Sequence, residues 1–267
     1  MIERRAQKPS RIRYRARLAR RGEARRLTHL AQIESLRRAL LASGLPIVMD
    51  RRRRRPRPKL AFGPAISVGY ESLAEYFDLL LDAALAPKQV SSALAPALQT
   101  GLSMVGVRRI PLFFPSLDAS VNVVRYEIRG VFPDDGAGTL EDFLRREEIV
   151  IEKLKKGGTR VERVDARPLI LNMALTAPGC LGLTLRFGPK QTVKPEALVR
   201  DWLRLGPPAL AGVAAPSGEG ASAPSPGPRV DASASAAPAG PSEPLEGFRI
   251  VRQELYSETS SGELLTP

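Results

Sequence analysis

Residues 11–18 read Arg-Ile-Arg-Tyr-Arg-Ala-Arg-Leu, with cation and apolar side chain in strict alternation. Successive side chains of a strand point to opposite faces. Ile12, Tyr14, Ala16 and Leu18 therefore share one face, and Arg11, Arg13, Arg15 and Arg17 share the other. A helix would scatter both sets around its axis, so the segment reads as a strand with one apolar face. Any fold built on it must cover that face with a second layer.

The following residues supply such a layer. Gly22 lies in a turn, and Thr28 is suited to cap a helix carrying Leu30, Ile33, Leu36 and Leu40 on one stripe. Gly44 stops that helix and Pro46 prevents its return. Residues 45–49 start a second strand, 51–58 interrupt it, and 59–62 resume extended structure. Segment 70–85 fits two patterns. Leu73, Phe77, Leu80 and Leu81 make a helical stripe, whereas Phe77, Leu79 and Leu81 alternate as in a strand, and periodicity leaves both open. Pro87 suits the first turn of a helix running to about Leu98, and 102–110 reads as a strand after Gly101. With 70–82 extended, the order is β-α-β-β-α-β, the ferredoxin-like pattern.

The second half offers a similar order. Residues 121–131 form a strand, Thr139 caps a helix to about Arg146, and 149–154 is a strand followed by a turn at 155–158. Residues 169–176 and 181–187 pair as a hairpin across Pro178-Gly179. Pro195 opens a helix bearing Leu198, Trp202 and Leu205, and 248–256 gives a last strand. The expected fold is α+β: two tandem ferredoxin-like domains with antiparallel sheets. Residues 1–10 form a flexible N-terminus, 11–115 the first domain, and 120–206 plus 247–260 the second. Residues 207–246, rich in Ala, Pro, Ser and Gly, form a disordered insertion whose composition cannot build a core.

Charge and cysteine content exclude several functions. The net charge is +13, yet residues 1–59 alone hold 20 Lys or Arg against 4 Asp or Glu. All of the excess therefore sits near the amino end, where it favours polyanionic partners. Cys180 is the only cysteine and His29 the only histidine. One thiolate cannot hold an iron–sulfur cluster, and one Cys with one His cannot complete a structural zinc site. No cofactor or metal is expected in this chain. No apolar run approaches the roughly 20 residues of a membrane span, and no h-region follows the basic start, so a cytoplasmic location without membrane contact is the expectation.

Several stretches resemble the radical-SAM-linked protein family. Residues 24–30, Ala-Arg-Arg-Leu-Thr-His-Leu, are similar to its first-helix opening. Residues 58–65, Pro-Lys-Leu-Ala-Phe-Gly-Pro-Ala, followed by Gly69-Tyr70-Glu71-Ser72, look like its central signature. Residues 74–78, 164–170 and 250–256 match further segments in order. The family-motif positions are His29, Lys59, Phe62, Gly63, Pro64, Glu71, Asp165, Arg167 and Pro168. The resemblance implies a protein encoded beside or fused to a radical SAM protein, which would carry an iron–sulfur cluster and S-adenosylmethionine. It also favours a strand at 74–82. Two departures stand out: Arg53-Arg54-Arg55-Pro56-Arg57-Pro58-Lys59 replaces the family's Gly-Phe-Asn-Pro-His-Pro-Lys loop, and Ala31 stands where the family has Asp.

The sharpest site candidate is the loop carrying Arg51, Arg52, Arg53, Arg54, Arg55, Arg57 and Lys59, held extended by Pro56 and Pro58. Guanidinium groups grip phosphates bidentately. The competing view is a solvated loop. Arg11, Arg13, Arg15 and Arg17 would lie opposite the helices, on the face that such sheets offer to single-stranded RNA. Against this, the other half would cover that face and pair its arginines with carboxylates. Tyr14 points away, so the chain is not a standard RNA-recognition module. His29 is the one candidate acid–base residue, set against a packing role at a helix start. Asp165 and Arg167 share a face and are expected to form a local ion pair. Cys180 reads as a packed small residue. The reading is a non-enzymatic accessory protein that binds RNA beside a radical SAM protein. An RNA-processing or RNA-modifying enzyme and a pure protein-docking module are the alternatives.

Overall fold

The computed structural model describes residues 11–52, 54–133, 136–154, 161–188, 191–203 and 245–267. The N-terminal segment 1–10, Arg53, the turn 155–158 and all but the last two residues of the proposed insertion lie outside the described residues. Those two belong to the folded chain: Leu245 is only 4% exposed within the core, so the second half resumes at least two residues earlier than composition suggests.

The described elements are mixed α and β. The strands are β1 (Ile12–Arg20), β2 (Met49–Asp50), β3 (Arg57–Pro58), β4 (Leu60–Phe62), β5 (Glu71–Leu81) and β6 (Leu102–Ile110), then β7 (Val123–Arg129), β8 (Val150–Leu154), β9 (Val161–Asp165), β10 (Ile170–Ala177), β11 (Cys180–Arg186), β12 (Arg249–Glu258) and β13 (Leu264–Leu265). The helices are α1 (His29–Ala42), α2 (Pro87–Leu94), α3 (Leu117–Ser120), α4 (Gly136–Leu144) and α5 (Pro195–Trp202). Nine strands form one sheet in the order β10-β11-β7-β12-β5-β1-β6, with β13 added on β12 and β4 on β5. Neighbours are antiparallel except β12 and β5, which run parallel where Val251 meets Glu71 and Arg252 meets Ser72. That short parallel contact joins the two halves of the chain. No described helix is long and apolar enough to cross a membrane.

Segment 70–82 is extended, with Glu71–Leu81 forming β5. Its odd positions Phe77, Leu79 and Leu81 enter one core with Tyr14, Leu18, Leu36, Leu40, Val90 and Leu94. Its even positions Ala74 and Tyr76 enter a larger core with Leu117, Val124, Ile128, Leu183, Leu198 and Leu255. Burial on both faces erases the alternation that marks a one-sided strand, which is why periodicity was ambiguous here.

Some local expectations shift. Thr28 does cap α1, its Oγ1 accepting from the Ala31 amide at 3.2 Å. The buried stripe of α1 is rotated, however. Leu30 is 74% exposed, while Gln32, Ser35, Leu36, Ala39 and Leu40 face inward. Thr139 lies inside α4, which starts at Gly136, and is not its cap. The 3-10 turn Ala95–Ala97 ends the α2 region before Leu98. Strands β9 and β13 have no counterpart in the sequence reading, because each is short and pairs only in a local hairpin or edge.

Candidate nucleic-acid interface and buried ion cluster

The arginine loop is the tip of a hairpin. Ile47 bridges to Leu81, the Val48 amide donates to the Leu80 carbonyl at 2.9 Å, and the chain then leaves the sheet as β2 and β3. It returns where the Lys59 amide donates to the Val48 carbonyl and Leu60 pairs with Leu79. Pro58 is buried and anchors the base, whereas Arg51, Arg52, Arg54, Arg55, Arg57 and Lys59 are exposed. Arg57 reaches Glu34 of α1 at 3.2 Å, a carboxylate shared with Arg37 at 2.7 Å. Among the described residues, Arg51, Arg52, Arg54, Arg55 and Lys59 form no ion pair. Like charges at this density repel, and the arrangement lowers its own energy by attracting an anion.

The strand arginines behave differently. Asp78 of β5 accepts from both Arg13 (Nη2, 2.5 Å) and Arg15 (Nε, 2.7 Å), and Arg15 is 2% exposed. Arg17 pairs with Glu254 of β12 at 2.8 Å, and its guanidinium lies over the Tyr76 ring. The chain between β6 and α3 closes over this face, its carbonyls at Phe114 and Pro115 accepting from Arg13 and Arg15. A phosphate would have to displace a buried carboxylate to reach Arg15. The expectation of an open cationic sheet face is therefore revised: Arg13, Arg15 and Arg17 serve as ion-pair partners within the fold. Arg11, at the strand start, stays exposed.

A second constellation was not singled out from the sequence. Arg20 donates to Gln32 Oε1 at 3.1 Å, Gln32 donates to Glu75 at 2.9 Å, and Arg252 donates to Glu75, to Ser72 Oγ and to the Pro64 carbonyl. Arg20, Gln32, Ser72, Glu75 and Arg252 are all buried. Burial opposes ionisation of Glu75, but Arg252 and the hydrogen bonds from Gln32 and Ser72 outweigh it and hold the carboxyl below its ordinary range. The cluster joins β1, α1 and β5 to β12, across the contact between the halves.

The family-motif residues converge around it. Phe62 stacks on Phe77 and meets the His29 ring edge-on at 6.1 Å. The Gly63 amide donates to the Tyr76 carbonyl at 3.0 Å. Glu71 pairs with Arg249 at 2.6 Å, and Tyr70 donates to Glu196 of α5. His29 is the first residue of α1, half-buried, and its Nδ1 is buried with no hydrogen-bond partner among the described residues. Burial pushes its imidazole below the ordinary histidine range; Glu75 and Asp118 oppose this, and Arg252 and Arg20 add to it. No carboxylate is hydrogen-bonded to it among the described residues.

Asp165, Arg167 and Pro168 lie elsewhere. Asp165 Oδ1 accepts from the amides of Ile149 (3.0 Å) and Arg167 (2.9 Å), so the carboxylate ties backbone together instead of forming the expected ion pair. Cys180 is a half-buried free thiol. No group of three or more metal-ligating side chains occurs among the described residues.

Residues 13–195 match a family described as an uncharacterized protein conserved in bacteria, DUF2344. The match covers well over half of the 267 residues. The chain belongs to that family. No curated protein gives a significant match. The matched span includes the arginine hairpin, His29 and Glu75, whereas Arg252 lies beyond it.

Proposed function

We propose that this chain is a non-enzymatic, cytoplasmic accessory protein that binds RNA through the arginine hairpin and acts beside a radical SAM enzyme. The observation that supports RNA binding is the contrast between two sets of arginines. Those on β1 meet Asp78 and Glu254, while Arg51, Arg52, Arg54 and Arg55 are exposed and form no ion pair among the described residues. Arginines that only solubilise need no anchored base, yet this tip is anchored by buried Pro58 and by two hydrogen bonds at Val48. The radical SAM partner, with its iron–sulfur cluster and S-adenosylmethionine, rests on the motif resemblance alone.

The strand orders support the tandem ferredoxin-like reading in a fused form. The first half runs β4-β5-β1-β6 and the second β10-β11-β7-β12. In each, the first and third main strands are central and the second and fourth flank them, as in the ferredoxin-like pattern. On this reading the two units share one sheet through β12 and β5.

The test is an electrophoretic or anisotropy titration of the full chain against labelled RNA, after nuclease treatment during purification. Replacing Arg51, Arg52, Arg54 and Arg55 together with Gln weakens binding strongly on this account and flattens its salt dependence. Binding that persists in that variant and disappears in His29→Ala would move the reading to an RNA-processing enzyme. Co-purification of a radical SAM protein with no RNA affinity would move it to a docking module.

A further inference from the structure

The turn that follows β6 is held rigidly by its backbone while its side chains point outward. Arg13 donates to the Phe114 carbonyl at 2.6 Å, and Arg15 donates to the Pro115 carbonyl at 3.3 Å. The Arg15 guanidinium also lies over the Phe114 ring. Fixed in this way, the turn leaves Phe113 89% exposed. Beside it an open cleft is lined by Arg11, Ile12, Arg109, Ile110 and Leu112, with Arg13 already tied to Asp78 in its wall. Arg11, Arg108 and Arg109 are exposed and have no carboxylate partner among the described residues.

A lone exposed aromatic is ordinary on a protein surface. An exposed aromatic on a backbone-anchored turn, beside unpaired guanidiniums, is the combination that single strands use: the ring face takes a base, and the cations take the phosphates on either side. The arginine hairpin lies at the same end of the sheet. Ile110 pairs with Arg13, Arg13 with Leu80, and the Leu80 carbonyl accepts from Val48 at the hairpin root. Three strand spacings, about 15 Å, therefore separate the cleft from that root.

We propose that Phe113 is a base-stacking platform for single-stranded RNA, with Arg11 and Arg109 of the adjoining cleft contacting the flanking phosphates. This rests on the RNA-binding reading and deepens it by naming the strandedness of the ligand. A duplex keeps its bases stacked on each other and offers none to the ring.

The experiment is fluorescence anisotropy of the full chain with a labelled oligouridylate and with an RNA duplex of the same length. Phe113→Ala is expected to weaken single-strand binding roughly 5- to 150-fold, with the salt slope and duplex affinity unchanged. Phe113→Tyr is expected to restore it. Because the ring is in solvent, the thermal midpoint of Phe113→Ala serves as the folding control. If Phe113→Ala binds within about twofold of the parent while the hairpin variant loses affinity, the stacking assignment falls and the hairpin reading stands. If the hairpin variant is silent and Phe113→Ala is not, the converse holds. A parent chain that binds neither RNA overturns both, and binding of an acidic peptide in place of RNA assigns the cleft to a protein partner.

Discussion

At the scale of single residues, three buried polar side chains interrupt apolar series in the sequence. Arg20 continues the even-numbered series of Ile12, Tyr14, Ala16 and Leu18, and Glu75 stands among Leu73, Phe77, Leu79 and Leu81. Gln32 precedes Leu36 and Leu40 at helical spacing. Each occupies an inward position that the sequence analysis did not single out, and their meeting at Arg252, more than 170 positions away, leaves no local pattern. Removing one partner from a buried pair leaves an uncompensated charge, so Arg252→Met should destabilise the protein by about 3–5 kcal/mol in denaturant unfolding. Replacing both Glu75 and Arg252 by apolar residues should cost clearly less than either change alone. His29 supplies a pH signature. Its folded state binds a proton less readily than the unfolded chain, so stability should fall as pH drops below about 6.5, and the penalty is complete below the folded value. His29→Gln should flatten thermal midpoints compared between about pH 5 and about pH 8 relative to the parent.

At the scale of elements, the sequence revealed strands whose two faces differ and concealed those buried on both. The edges of β6, Leu102–Ile110, follow directly from Gly101 and the pattern after it. Strand β5 shared its residues between two cores and left helix and strand undivided. The hairpin of β2 and β3 was visible only as an interruption by charge, because its two-residue strands are set by contacts to Val48 and Leu80 that lie outside the run. Its exposure carries a prediction of its own. Gln in place of Arg51, Arg52, Arg54 and Arg55 removes no buried contact and relieves repulsion among like charges. The thermal midpoint of that variant should equal or slightly exceed the parent's by calorimetry.

At the scale of the whole molecule, two halves with matching strand orders share one sheet, and the contact between them is polar as well as apolar. Arg17 with Glu254, Glu75 with Arg252, Glu71 with Arg249 and Tyr70 with Glu196 all cross it. The order of elements suggested two tandem domains, and nothing in a sequence marks which strand edges will meet; the halves pair in parallel at Val251 and Arg252. Such a contact should make the halves unfold together, giving a single calorimetric transition, whereas two resolved transitions would mean independent domains. The same architecture explains how the amino-terminal charge is divided, with β1 arginines turned inward to carboxylates and hairpin arginines left outward. That division is tested most directly by the salt dependence of single-stranded RNA affinity. Each phosphate contact contributes a log–log slope of about 0.7, so removing the four hairpin arginines should lower the slope by up to about 3. An unchanged slope in that variant, with RNA still bound, would contradict the assignment.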